Sequence, residues 1–277
     1  MAIGPGFIDL HTHSLASDGQ YPAREVAARA AAAGLQVWAL TDHDTVAAQE
    51  EGARAAKDLG LRFVAGIELS VFLDSREVHM LGHFLDPAHR TLTRFEDLLA
   101  EKRRVRMGEI VTKLAALGVA ITEEDIVKWS GGKTIGRPHV ARAMVEAGAV
   151  ATVREAFDRY LGEGQPAYVG RYRLEAAEAI RLVAGAGGVA TLAHPGVNKV
   201  ERGDLARLKA MGLAAVEARH PDHNPSVRDK YLAIAAELDL VPTAGSDFHG
   251  EAIAPDRFLG MATMPEEDLA RLEARRP

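Results

Sequence analysis

Short apolar runs alternate along this chain with alanine-rich amphipathic stretches. The apolar runs have the length of buried strands, and the amphipathic stretches have the period of helices. Strands are predicted at residues 7–10, 37–41, 62–68, 78–82, 188–194, 214–218 and 241–246. Helices are predicted over 22–33 and 45–59, with Pro22 as a first helical residue and Gly34 and Gly60 as stops. Strand and helix in this repeating order predict a parallel sheet.

The ends of the predicted strands favour a barrel over an open sheet. Nearly every strand runs apolar and then ends in His, Asp or Glu. In (β/α) barrels the active-site residues lie at the C-terminal ends of the strands. We therefore expect an α/β fold with a TIM-like barrel, in which about seven strands imply irregular closure.

One stretch, residues 91–164, lacks a convincing strand. Its apolar residues recur at helical spacing, and Thr122 and Thr152 are predicted as helix caps. The chain thus divides into a barrel domain, residues 1–90 and 165–277, and a helical insertion, residues 91–164, which on a βα connection would cap the active-site mouth. Trp38 in the barrel and Trp129 in the insertion are both expected in the core.

Composition narrows the class of protein. The 277 residues are 47% hydrophobic, which is enough for a sizeable core. A net charge of −6 gives no sign of a long nucleic-acid footprint, so the expected partners are small molecules. The absence of cysteine excludes thiolate metal sites and a cysteine nucleophile. With no long apolar run, the chain is expected to be cytoplasmic and off the membrane. The sequence is compatible with a monomer and does not fix the oligomeric state.

The polar residues at the strand ends are potential metal ligands. His11 and His13 are two residues apart, so a strand directs both side chains to one side. Asp247 and His249 repeat this spacing after the last strand. The full set of candidate ligands is His11, His13, Asp18, His43, Glu68, His79, His194, Asp247 and His249. Together they predict a centre of nitrogen and oxygen ligands for several divalent ions.

The segments that carry these ligands resemble those of a known family. They are DLHTHS, SDG, LTDHDT, GIELS, EVHMLGHF, TLAHPG and GSDFHG, in this order along the chain. The set resembles the PHP (polymerase and histidinol phosphatase) family, which implies a distorted (β/α)7 barrel with a trinuclear metal centre. The GRPH segment within the helical insertion is similar to that of the nucleoside 3′,5′-bisphosphate phosphatase and 5′→3′ exoribonuclease subgroup.

The resemblance also implies how the ligands are shared among three ions. One ion would be bound by His11, His13, Glu68 and Asp247. Glu68 would bridge to a second ion held by His79 and His194, and Asp18, His43 and His249 would hold a third. The residues at the reaction centre would then be His11, His13, Glu68, His194 and Asp247.

The ligand types limit the metal and the substrate. A histidine-rich set suits Mn, Fe or Zn rather than Mg or Ca. Three divalent ions, three carboxylates and a hydroxide leave a net charge of roughly +2, which complements a phosphomonoester dianion. In-line attack by a metal-activated hydroxide is therefore the expected mechanism.

Four further residues are candidate contacts to the substrate. Arg137 and His139 of the insertion would bind a second phosphate, although their segment could simply begin a helix. His220 and His223 follow the sixth strand and would line a nucleotide pocket, with a solvated loop as the alternative. Asp42 and Asp44 would orient a histidine or, equally, form a turn.

Several functions remain open on this sequence. The first is removal of the 3′-phosphate from a nucleoside 3′,5′-bisphosphate such as adenosine 3′,5′-bisphosphate. The second is 5′→3′ exonuclease activity on short 5′-phosphorylated RNA or DNA, and a histidinol phosphatase is a third. A non-catalytic, metal-stabilised binding module is the alternative of another class, which the complete ligand set disfavours.

Overall fold

The computed structural model describes residues 7–130 and 136–277. The strands are β1 Ile8–Asp9, β2 Val37–Leu40, β3 Arg62–Leu73, β4 Arg76–His83, β5 Val189–Leu192, β6 Ala215–Arg219 and β7 Val241–Ala244. The helices are α1 Ala23–Ala32, α2 Gln49–Asp58, α3 Arg90–Ala116, α4 Glu123–Ser130, α5 Arg137–Glu146, α6 Val153–Ala156, α7 Ala176–Gly185, α8 Arg202–Ala210, α9 Pro225–Glu237 and α10 Glu266–Glu273. A π-helical turn, Phe157–Leu161, follows α6.

The strands form one sheet in the order β1-β2-β3-β4-β5-β6-β7, so neighbours along the chain are neighbours in the sheet. The sheet curls into a nearly closed barrel, because the segments that follow β1 and β7 also pair. Thr12 bridges Phe248 in parallel, and His13 N–H donates to the carbonyl of Phe248 at 2.9 Å. The expected TIM-like barrel of seven strands is confirmed.

The prediction of an all-parallel sheet was wrong at β4. This strand is antiparallel to both β3 and β5, whereas the other neighbouring pairs are parallel. The reason is local: β3 continues past Glu68 to Leu73, and a two-residue turn at Asp74 and Ser75 then returns the chain as β4. Asp74 adopts a positive φ of 57°, as tight hairpin turns require.

The predicted helices of the barrel are present with shifted starts. α1 begins after Pro22, which is its extended N-cap, and α2 begins at Gln49, four residues later than expected. Gly34 and Gly60 follow the two helices with positive φ, as stop residues do. These helices pack on β2, where Trp38 is fully buried as predicted.

The chain splits into two compact units. Unit 1 comprises Met1–Thr93 and Leu174–Pro277, and unit 2 comprises Arg94–Arg173. Unit 2 is helical in its described part and has its own core, formed by residues such as Ile110, Leu114, Val140 and Met144. Thr122 and Thr152 cap their helices as predicted, since each hydroxyl accepts a backbone N–H three residues on.

Trp129 of unit 2 was predicted in the core, and this was wrong. Its side chain is 41% exposed, and its indole N–H donates to Glu146 at 3.0 Å. In the described part of the chain, no helix is both long enough and apolar enough to cross a membrane.

Candidate metal centre

The paired histidines after β1 point to one side of the chain, and Thr12 between them points to the other. The Thr12 hydroxyl donates to the carbonyl of Ala39 at 2.6 Å and accepts the indole N–H of Trp38 at 2.8 Å. Side chains alternate along an extended segment, so His11 and His13 both face the barrel mouth. Both are fully buried.

Glu68 lies at the centre of the candidate ligands. Its Oε2 is 3.1 Å from Nε2 of His11 and 3.1 Å from Nε2 of His13. His43 approaches the same oxygen at 3.3 Å. Glu68 is buried, so solvent screens these electrostatic contacts only weakly.

The other oxygen of Glu68 faces two further histidines. Its Oε1 is 2.9 Å from Nδ1 of His79 and 3.2 Å from Nε2 of His194. The antiparallel direction of β4 explains the position of His79, which lies in the first half of its strand and pairs with Ser70. One carboxylate therefore contacts five imidazoles, which come from four different segments of the barrel.

Three groups of ligand atoms are compact enough to hold an ion, with all atoms of each group within 4.8 Å of one another. They consist of His11, His13, Glu68 and Asp247; of His43, Glu68 and His79; and of His13, Asp18, His43 and His249. The first group is the set that the family resemblance implied for one ion. The third adds His13 to the set implied for another.

Unsatisfied nitrogens show that the centre suits metal ions. Both ring nitrogens of His13, Nδ1 of His43 and Nδ1 of His194 are buried and make no hydrogen bond within the described residues. Buried polar atoms in folded proteins normally have partners. A cluster of imidazole and carboxylate donors with such atoms fits Mn, Fe or Zn.

The electrostatics of the cluster keep its carboxylates ionised. Burial alone would raise the pKa of Glu68, but His43 and His11 hold it well below its usual range. Burial would lower the pKa of His13, but the carboxylates of Asp247 and Glu68, at 3.3 Å and 3.1 Å from its Nε2, raise it to about 10. Ion binding would therefore displace a proton from His13 rather than from Glu68.

Three buried or partly buried residues around the ligands were missed by sequence reasoning. Asp9, fully buried, accepts backbone N–H groups from His11 at 3.3 Å, Ser246 at 2.9 Å and Gly260 at 3.0 Å. Glu217 contacts His11, and Arg257 binds Oδ2 of Asp247. The only sequence signal for Asp9 and Glu217 is an acidic residue inside an apolar strand.

Asp42 stabilises the loop that carries Asp18. It accepts the backbone N–H of Ser14 at 2.7 Å and the hydroxyl of Ser17 at 2.6 Å. Asp44 accepts the backbone N–H of Ser70 at 3.1 Å. These bonds connect Asp42 to the loop after β1 and Asp44 to β3.

His220 and His223 lie on the same side of the barrel as the candidate ligands. They differ in the hydrogen bonds of their ring nitrogens. Nδ1 of His220 accepts the N–H of Asp222 at 3.1 Å, so the neutral ring carries its proton on Nε2, which lies 3.4 Å from Oδ2 of Asp247. His223 has both nitrogens engaged, one with the carbonyl of Ala218 and one with the N–H of Gly196. His220 thus retains a donor for a ligand, and His223 braces the segment after His194.

Arg137 and His139 belong to unit 2, where GRPH begins α5. Nδ1 of His139 accepts the N–H of Gly136 at 3.0 Å, so the histidine side chain caps the first turn of the helix. Arg137 donates to the carbonyl of Leu161 at 3.1 Å and lines a pocket together with Arg103 and Arg106. Burial, reinforced by the charges of Arg137 and Arg171, lowers the pKa of Arg106. Such a concentration of positive charge suits an anion.

A sequence model of the PHP domain matches residues 9–162. This range contains six of the nine candidate ligands: His11, His13, Asp18, His43, Glu68 and His79. A 3′,5′-nucleoside bisphosphate phosphatase of Chromobacterium violaceum is 36% identical over 247 residues, covering 87% of each chain. A 5′-3′ exoribonuclease of Haemophilus influenzae is 35% identical over 248 residues, covering 87% of this chain and 89% of the relative.

Among solved structures, a protein of Bifidobacterium adolescentis described as a metal-dependent phosphoesterase is similar over almost the whole length. It superimposes with a TM-score of 0.76 at 31% identity, covering 97% of this chain and 96% of the other. The similarity therefore extends over the segments that carry His194, Asp247 and His249.

Proposed function

The chain belongs to the PHP domain family of metal-dependent phosphoesterases, and from this premise we propose that it removes the 3′-phosphate of nucleoside 3′,5′-bisphosphates such as adenosine 3′,5′-bisphosphate. The observation that carries the proposal is the position of Glu68, whose two oxygens contact five histidines at 2.9–3.3 Å. A carboxylate in this position is suited to bridging two cations.

We propose three ions of Mn, Fe or Zn. His11, His13, Glu68 and Asp247 would hold one, Glu68, His79 and His194 a second, and Asp18, His43 and His249 a third. When bound, such ions activate water as a nucleophile at neutral pH and neutralise the charge of the transferring phosphoryl group.

The protein's own groups would orient the phosphate. His220 presents the N–H of Nε2 beside Asp247 and would donate it to a phosphoryl oxygen. Arg257 holds Oδ2 of Asp247, while Oδ1 of that carboxylate faces His11 and His13 at 3.4 Å and 3.3 Å. Asp247 is thereby directed toward the cluster through one oxygen.

The arginine cluster of unit 2 supports a substrate with a second phosphate. Within the described residues, Arg106 and Arg137 donate to backbone carbonyls, of Val169 and Leu161, which leave their positive charge uncompensated. We propose that Arg137, assisted by His139, binds the 5′-phosphate, because a guanidinium group pairs with phosphate through two parallel hydrogen bonds.

Exonuclease action on short 5′-phosphorylated oligonucleotides is the second candidate. It is favoured by the 35% identity to the Haemophilus influenzae protein, whose name states 5′-3′ exoribonuclease activity. Both candidates cleave a 3′-phosphoester beside a 5′-phosphate, and they differ in what is attached to that phosphoryl group.

One assay separates the candidates. The protein loaded with Mn is incubated with adenosine 3′,5′-bisphosphate, a 5′-phosphorylated RNA trimer and histidinol phosphate, and phosphate or mononucleotide release is measured. We expect the highest kcat/KM on the bisphosphate. A higher kcat/KM on the trimer would select the exonuclease, and no turnover of any substrate by metal-loaded protein would contradict both.

The same assay tests the second phosphate. Arg137→Gln should raise KM for the bisphosphate by about tenfold or more, since a charge-assisted hydrogen bond contributes about 1.5–3 kcal/mol. KM for adenosine 3′-monophosphate should change much less. Arg142→Gln, on the same helix but beside the ring of Trp129, is the matched control. Equal effects on both substrates would refute the role of Arg137.

A further inference from the structure

Glu217 lies inside β6 and is fully buried, although strand interiors rarely contain a carboxylate. It is not one of the candidate ligands and stands in none of the compact ligand groups. Its two oxygens nevertheless have one partner each among the ligand residues. Oε1 is 3.0 Å from Nδ1 of His11, and Oε2 accepts the backbone N–H of His194 at 2.8 Å.

The bond to His11 fixes which ring nitrogen carries the proton. An ionised carboxylate can only accept, so Nδ1 of His11 must be the donor. Nε2 of a neutral His11 then keeps its lone pair, and this atom is the one that faces Glu68 at 3.1 Å and Asp247 at 3.4 Å. A hydrogen bond of this kind orients metal-binding histidines in many proteins.

The bond to His194 fixes the backbone of a second ligand. His194 adopts a positive φ of 23°, a conformation that costs energy for a residue with a side chain. Its N–H is held by Glu217, and its Nε2 then lies 3.2 Å from Oε1 of Glu68. Glu217 therefore braces one histidine on each oxygen of the central carboxylate.

The chain leaves room for this arrangement at Gly245. A Cβ on Gly245 would lie 2.8 Å from Oε1 of Glu217 and 2.1 Å from Cβ of His11. Both distances are shorter than real carbon contacts allow, so only glycine permits the two side chains to meet beside β7.

We propose that Glu217 is a positioning residue of the metal centre, which holds the proton of His11 on Nδ1 and the backbone of His194 in place so that both Nε2 atoms face the ions. The proposal rests on the metal dependence of the proposed function, but not on its substrate. Glu217 touches neither ions nor substrate in this role.

Glu217→Gln tests the proposal because it keeps the size and removes one acceptor. The N–H of His194 still requires an acceptor, so the amide oxygen turns to it and the amide NH₂ meets Nδ1 of His11. That nitrogen must then accept, and the proton of His11 moves to Nε2, where it blocks metal binding.

The measurement is made without substrate. Zn²⁺ affinity is determined by competition with a chromogenic chelator, and the tautomer of His11 is determined by long-range ¹H–¹⁵N NMR of the histidine rings in the Zn-loaded protein. For Glu217→Gln we expect at least one ion to bind about 10–100-fold more weakly, and the signal of a proton on Nδ1 of His11 to be lost. Glu25→Gln, which makes the same chemical change on exposed α1, should match the wild type.

Unchanged affinity with the proton still on Nδ1 of His11 would overturn the proposal. If Glu217→Gln does not fold, Glu217→Asp is measured in the same way, since it keeps two acceptor oxygens but withdraws them by one methylene. Weaker Zn²⁺ binding by that variant supports the role, and wild-type binding contradicts it. A loss of affinity in a protein that hydrolyses none of the phosphoesters would leave Glu217 as a positioning residue and refute only the proposed function.

Discussion

Two buried histidines of the barrel have opposite charge preferences because their neighbours differ. Burial would lower the pKa of His11, but Glu217 and Glu68 hold it well above its usual range. His83 is equally buried, and its partners are neutral: the carbonyl of Leu10 at 2.9 Å and the hydroxyl of Thr191 at 3.2 Å. Burial therefore dominates and lowers the pKa of His83 to about 4.

His83 should make the protein less stable in mild acid. In the unfolded chain its imidazole binds a proton below a pH of about 6.5, whereas in the folded protein it does so only below about 4. The unfolded state therefore binds more protons between these values, and the free energy of unfolding falls as the pH decreases from 6.5 to 4. The contribution of this residue is up to about 3 kcal/mol.

Urea denaturation between pH 7 and pH 4 checks this expectation. His83→Gln keeps a donor for the carbonyl of Leu10 and removes the titrating group, so its free energy of unfolding should fall less steeply with decreasing pH than that of the wild type. His89→Gln removes a half-buried histidine at the start of α3 and serves as the control. Parallel curves for the wild type and His83→Gln would contradict the role of His83.

At this scale the sequence predicts the candidate metal ligands and misses the residues that hold them in place. His11, His13 and Asp247 follow apolar runs, so the sequence pattern places them at the ends of strands. Glu217 and its partner His11 are 206 residues apart, and no local pattern connects them. The same is true of Asp9, whose partner Gly260 is 251 residues away.

At the scale of elements, the β3–β4 hairpin is the main departure from the predicted sheet. A parallel return would require a helix between the two strands, but the turn at Asp74 leaves no room for one. The sequence pattern predicts the strands but not their direction, because apolar residues alternate in the same way in parallel and antiparallel strands. The reversed strand still places His79 at the mouth, because this residue lies in the first half of the strand rather than at its end.

The end of β7 should tolerate only glycine at position 245. Gly245→Ala would place a Cβ 2.1 Å from that of His11 and force β1 and β7 apart. We expect loss of Zn²⁺ binding together with a decrease in stability of at least about 1–3 kcal/mol, the usual cost of overpacking a core.

Metal titration and thermal unfolding of this variant provide the check. Gly203→Ala is the matched control, because a Cβ at Gly203 in α8 has no heavy atom within 4 Å. It should bind Zn²⁺ as the wild type does. Wild-type binding by Gly245→Ala would show that the close approach of the two strand ends does not determine the geometry of the ligands.

At the scale of the whole molecule, the candidate ligands come from both ends of the barrel sheet. His11 and His13 follow β1, a strand of two residues, and Asp247 and His249 follow β7, a strand of four. The segments 8–13 and 244–249 form the seam of the barrel. Few backbone hydrogen bonds within the described residues join them, among them Leu10 N–H to the carbonyl of Ala244 and Asp247 N–H to that of His11. Ions held by these four residues would connect the first and last strands directly.

Metal binding should therefore protect the seam more than the rest of the chain. Hydrogen exchange measured with Mn²⁺ and with a chelator should show slower exchange at residues 8–13 and 244–249 when the metal is present. The stabilisation should approach about 2.7 kcal/mol at a metal concentration 100 times the Kd. The helices of unit 2, which supply none of the candidate ligands, are the internal reference, and equal changes in both regions would contradict the expectation.

The shortness of the seam has a consequence for the lifetime of the protein in a cell. A barrel closed by few backbone bonds opens first where its first strand meets its last, and an opened N-terminal strand is a substrate for proteases. Ions that fasten this seam would slow the opening, so chains made when metal is scarce would be degraded before chains that are fully loaded. The supply of metal would then set the amount of the enzyme as well as its activity.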